Sequence, residues 1–337
     1  MSNQKNSNQF NDLLNWRIAV AFFCGVLLVL FVNFAYDSFT IKDGENLQKD
    51  EEQIRTKGQK FTSPLLECSE IRPLRVDLFS KLEDVLTSTV PQEIDKDGVE
   101  VSVYLRDLTN GGWLEIGSKE LYQPASLMKL PTLIAAYKRY DTTPEYFNEV
   151  AEASLVFGKN ATQNIISGEP LAEGQEVTIG DLVRRTVLFS DNMAHDTLAG
   201  RLGIIRIESV LEDFGIPPLT TVEEYKISPR IYARFLRILY NSTYLSQKSS
   251  EELLTLLTKS KFDKGIRAGV PKNVTVASKF GERVMNIEGV KKFQLHDCGI
   301  VYASRPYILC IMTRGPSFEP LYEKISGVSK LVYDVMQ

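Results

Sequence analysis

The sequence predicts an α+β domain, an α/β sandwich. One antiparallel sheet, built from strands at both ends of the domain, is flanked by helices and interrupted by an inserted all-helical subdomain. Three observations predict it. Alternating or continuous β-type apolar runs occur early, around Val101, Val103 and Leu105, and return only late, over 274–280, 293–302 and 307–313. Between them, from about 144 to 257, apolar residues recur at helical spacing. A long uncharged run stands apart at the N-terminus, over 18–36. Strands so distant in sequence pair across an insert, which argues against an alternating βαβ array.

Taken in order, the N-terminal run IAVAFFCGVLLVLFVNFAY has 19 residues without a charge. As a helix it is about 28 Å long, close to the thickness of a bilayer's hydrocarbon core. A cleaved signal peptide is the rival reading. Its apolar region is normally shorter and ends at small residues, whereas Asn33-Phe34-Ala35 is a poor cleavage site, so a retained transmembrane anchor is favoured. Lys5 and Arg17 precede the run while Asp37, Asp43 and Glu45 follow it, which places the short tail inside and the bulk of the chain outside. The expected organisation is a cytoplasmic tail at 1–17, an anchor at 18–36, a polar tether at 37–63 and one catalytic-sized domain at 64–337. The expected location is the cell membrane, single-pass, with the domain extracytoplasmic.

Within the domain, Leu74, Leu78, Phe79, Leu82, Val85 and Leu86 mark a first helix. The stretch 99–116 reads as a hairpin turning at Asn110-Gly111-Gly112, which supplies the positive-φ positions of a tight turn. A helix over 125–140 follows Pro124. Thr178 is a candidate N-cap for Ile179-Gly180-Asp181-Leu182. Ser304-Arg305-Pro306 turns the last two strands, and a final helix runs over 321–335.

Composition narrows the function. The chain of 337 residues carries 39 Lys+Arg against 43 Asp+Glu, a net charge of −4, so no basic surplus points to nucleic acid. A hydrophobic fraction of 43% excludes a disordered chain. With two histidines and no Cys/His cluster, no metal site and no cofactor are expected.

Four short segments carry the chemistry. In Pro124-Ala125-Ser126-Leu127-Met128-Lys129, the serine and lysine are three apart, so both side chains fall on one face if Ser126 opens a helix. A serine hydroxyl needs a base, and a lysine amine in a dry pocket becomes one. Alone, Ser-x-x-Lys is a weak signal and reads more readily as an N-cap serine with a solvated lysine. Ser190-Asp191-Asn192 precedes a helical stretch and reads alone as an N-cap cluster. Lys279-Phe280-Gly281 ends a β-type run, and His296-Asp297 lies on the next strand, where a histidine is ordinarily a hydrogen-bonded structural residue.

Together and in this order, Ser-x-x-Lys, Ser-Asp-Asn and Lys-x-Gly resemble the motifs of the penicillin-recognising serine hydrolases: class A β-lactamases and the related penicillin-binding D-alanyl-D-alanine peptidases. The likeness covers about 64–337. It implies Ser126 as the acylated nucleophile, Lys129 as its base or proton relay, and Ser190 as the shuttle to the leaving group. It implies Asn192 on the substrate amide and Lys279 on a substrate carboxylate and the Ser190 hydroxyl. The backbone N–H groups of Ser126 and Glu282, the latter just after Gly281, would form the oxyanion hole. The implied partners are a peptidoglycan peptide, a β-lactam or another small amide or ester. His296 is a candidate substrate contact.

Two departures bear on the substrate. Phe280 stands where the family has a hydroxyl residue, which removes a donor to the substrate carboxylate. The segment FGIPPLTTVEEYKIS (214–228) has Glu223 and Glu224, but Ile227 and Ser228 stand where the Glu-x-x-x-Asn pattern of class A enzymes requires asparagine. Without a water-activating glutamate the acyl-enzyme should hydrolyse slowly, as in a peptidase-like or esterase-like hydrolase. A β-lactamase and a non-catalytic receptor on the same fold are the alternatives. Of the cysteines outside the apolar run, Cys298 and Cys310 are placed opposite each other by a turn at Ser304, but Cys68–Cys298 is the preferred pairing, because directly opposed strand cysteines often have poor disulfide geometry.

Overall fold

In the computed structural model, residues 49–55, 59–73, 76–90, 94–117, 119–156, 163–165, 168–169, 171–218, 225–287 and 289–337 are described. The expected anchor at 18–36, with Lys5 and Arg17, lies outside them. Among the described residues no helix is long and apolar enough to cross a membrane.

Five antiparallel strands form the central sheet: β3 (Glu100–Asp107), β4 (Trp113–Gly117), β7 (Thr275–Ile287), β8 (Val290–Tyr302) and β9 (Tyr307–Gly315), in the order β4-β3-β9-β8-β7. The early hairpin thus joins the three late strands by pairing β3 with β9, from Glu100↔Arg314 to Asp107↔Tyr307. This is the predicted arrangement. Its cause is visible in the register: Val101, Val103 and Leu105 all face the same apolar layer, so a one-residue slip would turn all three into the layer on the opposite face, where Tyr104 packs.

The sheet separates two layers. On one face, Val103, Leu105, Leu295 and Leu309 pack against helix α1 (Val76–Thr89), through Leu82 and Leu86, and against the C-terminal helix α8 (Phe318–Met336), through Leu321, Ile325 and Val332. On the other face, Tyr104, Ala277, Ile300 and Met312 pack against the helical insert. That insert comprises α2 (Lys129–Thr142), α3 (Ile179–Leu188), α4 (Asn192–Leu202), α5 (Ile204–Asp213), α6 (Pro229–Asn241) and α7 (Gln247–Leu257). Thr178 caps α3 as expected, its side chain accepting from the Asp181 N–H.

Three details differ from the sequence reading. Strand β1 (Lys49–Arg55), within the stretch read as tether, pairs with β2 (Leu65–Pro73). Polar strands of this kind have no apolar period to announce them. A short hairpin, β5 (Val150–Glu152) with β6 (Glu176–Thr178), sits inside the helical region. The disulfide joins Cys298 to Cys310, not to Cys68. The β8–β9 register makes the two cysteines direct partners, and both side chains point into the helical-insert face of the sheet.

Candidate active site

Ser126 sits in a 3₁₀ turn, Ala125–Met128, rather than in the first turn of an α-helix; α2 begins at Lys129. A 3₁₀ turn has three residues per turn, so Ser126 and Lys129 still share a face. Ala125 holds φ +49°, one of three non-glycine residues with positive φ among the described residues, immediately before Ser126. Ser190 holds φ +52°. Left-handed backbone at non-glycine residues carries strain that the surrounding structure must hold in place, and it concentrates at functional sites.

The turn is seated on β7. A Cβ on Gly281 would lie 2.6 Å from the Pro124 carbonyl oxygen and 2.8 Å from the Leu127 nitrogen. Glycine at 281 therefore lets the Ser126 turn lie flat on the strand, and it brings Ser126 next to Glu282, the two residues expected to offer oxyanion donors. Ser126 itself is half-buried.

Lys129 and Lys279 converge on Ser190. Lys129 Nζ donates to the Ser190 carbonyl oxygen, to Ser190 Oγ at 3.3 Å and to Asn192 Oδ1 at 2.6 Å. Lys279 Nζ donates to Ser190 Oγ at 2.8 Å and to the Phe280 carbonyl oxygen at 2.8 Å. Both lysines are buried, at 4% and 0% exposed. Burial pulls Lys129 down to about 7, against the opposing pull of Asp191 and Glu282. Lys279 is held well below the ordinary lysine range by burial first and the Lys129 charge second. A buried amine that gives up its proton near neutrality can accept one from a serine hydroxyl, while the second amine, through its hydrogen bond, fixes the hydroxyl that relays it.

Asp191, in the middle of the second motif, has its own task. Its carboxylate caps α4 through the Ala194 N–H at 3.1 Å, accepts from the Leu171 N–H at 3.1 Å and meets Arg185 Nε at 3.3 Å. It holds the loop that presents Ser190. His195, one helical turn after Asn192, was missed by the sequence reading. Its Nε2 lies 3.0 Å from Thr132 Oγ1 on α2. Burial, then Lys129 and Lys279, push its pKa down to about 3, so it stays a neutral spacer between α2 and α4. The i+3 spacing from Asn192 was the available signal.

His296 corrects an expectation. It pairs with Gly281 in the β7–β8 register, but it is fully buried and its ring is occupied. Nε2 lies 3.0 Å from the Gln123 carbonyl oxygen and 3.2 Å from Gln294 Oε1, and Nδ1 accepts from the Thr313 N–H at 3.2 Å. Burial lowers its pKa to about 4. It braces the chain leading into Ser126 and offers nothing to a substrate. Phe280 is also buried, stacked on Phe262 with ring centroids 4.3 Å apart and lying 4.5 Å from Lys279 Nζ. Its ring leaves no hydroxyl at this position and walls one side of Lys279. Glu223 and Glu224 lie outside the described residues.

A family model described as "Beta-lactamase enzyme family" matches residues 81–336. Among solved structures, PBP-A is similar over 78% of this chain and 96% of its own, with a TM-score of 0.60 and 21% identity. A variant of PBP-A has been captured as an acyl-enzyme complex with penicillin G. The TLA-3 extended-spectrum β-lactamase is similar over 77% of this chain and 98% of its own, at TM-score 0.63 and 18% identity. A β-lactamase from Chitinophaga pinensis is similar over 77% and 100%, at 0.63 and 19%.

Proposed function

This chain belongs to the β-lactamase enzyme family, and on that footing we propose that it is a membrane-anchored, extracytoplasmic serine hydrolase that forms an acyl-Ser126 intermediate on an amide or ester. A cell-wall peptide or a related compound is the proposed substrate class. The carrying observation is the buried pair of lysines meeting at one serine hydroxyl, with Lys129 brought to about 7. A scaffold without chemistry has no use for an amine kept dry and half-deprotonated at neutral pH. In the proposed cycle, neutral Lys129 takes the Ser126 proton as its Oγ attacks the carbonyl carbon. The N–H groups of Ser126 and Glu282 receive the oxyanion, and Ser190, oriented by the Lys279 amine, passes the proton from Lys129 to the leaving group. Water then hydrolyses the ester. The lack of a hydroxyl at residue 280, whose ring is buried against Phe262, supports a peptidase-like or esterase-like preference over strict recognition of a β-lactam carboxylate.

The test is labelling of the purified protein with a fluorescent penicillin and with a fluorophosphonate, beside Ser126→Ala. Stable labelling that disappears in Ser126→Ala is the expected result. Rapid turnover of a chromogenic cephalosporin would make the protein a β-lactamase instead. No labelling by either probe would overturn the acyl-enzyme reading.

A further inference from the structure

One contact beside the site serves neither the acylation chemistry nor the core. The carboxylate of Glu282 accepts from the Asn164 N–H at 2.6 Å, from Asn164 Nδ2 at 2.7 Å and from the Ile165 N–H at 3.1 Å. Residues 163–165 are joined in turn to the Ser190 loop, because Gln163 Nε2 donates to the Phe189 carbonyl oxygen at 2.9 Å. A continuous chain of contacts therefore runs from β7, through Glu282, over 163–165, to the residue preceding Ser190. It bridges the two sides that a substrate must enter between: the strand that carries Lys279, Gly281 and Glu282, and the loop that carries Ser190 and Asn192. Asn164 and Ile165 also wall a cavity of about 270 Å³ whose other sides include Phe262 and Tyr322, so the same strap fixes that cavity's shape.

We propose that the Glu282 side chain is a specificity-determining strap: it pins segment 163–165 against β7, narrows the entrance at the acyl end of the site, and so selects against substrates with bulky acyl groups. The proposal rests on the acyl-Ser126 reading. The direction follows from the site. The carboxylate end of a substrate belongs at Lys279 and Ser190, and the carbonyl belongs at Ser126 and the Glu282 N–H. The acyl group then projects along β7 past Glu282, under the strap. Removing the side chain leaves the Glu282 main-chain N–H in place, so the oxyanion donor and the strap can be separated. Three hydrogen bonds to one carboxylate, two of them from backbone, make a contact that a bulky group must break to enter.

The experiment compares the full-length wild-type protein with Glu282→Ala and Glu282→Gln. Acylation rate constants are measured for benzylpenicillin and for 6-aminopenicillanic acid, which lacks the acyl side chain, by competition with a fluorescent penicillin. Hydrogen exchange of the Asn164 and Ile165 amides is followed in the same samples. Glu282→Ala should raise the benzylpenicillin to 6-aminopenicillanic acid ratio by about tenfold, equivalent to about 1.4 kcal/mol at the entrance. It should also speed exchange of both amides. Glu282→Gln keeps an acceptor for both backbone N–H groups, so its ratio and its amide exchange should stay within about threefold of the wild-type values, a rescue that loss of fold would not give. Faster exchange with an unchanged ratio overturns the specificity role, and unchanged exchange overturns the strap. Labelling of Ser126 in Glu282→Ala but not in wild type would show a strap closed to both probes. Labelling in neither, with faster exchange in Glu282→Ala, would count against the acyl-Ser126 reading while leaving the strap contact established.

Discussion

The protonation of Lys129 can be tested through the pH dependence of acylation. Lys129 is 4% exposed, its amine ringed by the Ser190 carbonyl oxygen, Ser190 Oγ and Asn192 Oδ1. Burial lowers it from 10.5 to about 7. A fall of that size is about 5 kcal/mol of differential interaction between the two protonation states. If neutral Lys129 is the base, the acylation rate should rise about tenfold per pH unit below 7 and level off above it, so that at pH 5 it stands roughly a hundredfold below its plateau. An ordinary exposed lysine would instead place the limb between pH 9 and 11. The assay is the second-order rate of Ser126 labelling by fluorescent penicillin from pH 5 to 10. Lys129→Met should abolish the limb and lower the plateau by about 10² to 10⁴. A limb centred above pH 9, or a flat profile across pH 5–8, would refute the assignment. Stability carries the same signature with a definite sign. The folded pKa lies below the unfolded one, so between pH 7 and 10.5 the unfolded chain binds the extra proton and this site's contribution to stability rises with pH.

Other outcomes follow from single contacts. Ser190→Ala removes the hydroxyl that both lysines share, and acylation should fall by about 10² or more with little change in melting temperature, read by the same labelling assay. Gly281→Ala forces a Cβ to within 2.6 Å of the Pro124 carbonyl oxygen; it should displace the Ser126 turn, abolish labelling and cost roughly 1–3 kcal/mol in urea denaturation. Phe280→Ala opens the stack on Phe262, and the expected loss is about 3 kcal/mol or more by the same denaturation. Alkylation without reductant, followed by mass spectrometry, should recover a Cys298–Cys310 linked pair; Cys310 found alkylated would contradict the observed bridge.

The sequence by itself determined the sheet and the motif residues. Val101, Val103 and Leu105 announce β3 because alternate residues of a strand share one face, and the late apolar runs announce β7, β8 and β9 because strands covered on both faces read as nearly continuous apolar stretches. Ser126, Lys129, Ser190, Asn192 and Lys279 were legible because their order along the chain is itself a pattern. What the sequence cannot carry is register and distance. Whether Cys298 meets Cys310 or Cys68 depends on which residues face each other across β8 and β9, and strand order decides that. Whether His296 reaches a substrate depends on what else competes for its nitrogens, and the Gln123 carbonyl and the Thr313 N–H, distant in sequence, take them. The shift of Lys129 has the same origin. A lysine in Ser-x-x-Lys has no preferred pKa until packing removes its water, so the residue was written in the chain but its proton affinity was set by burial.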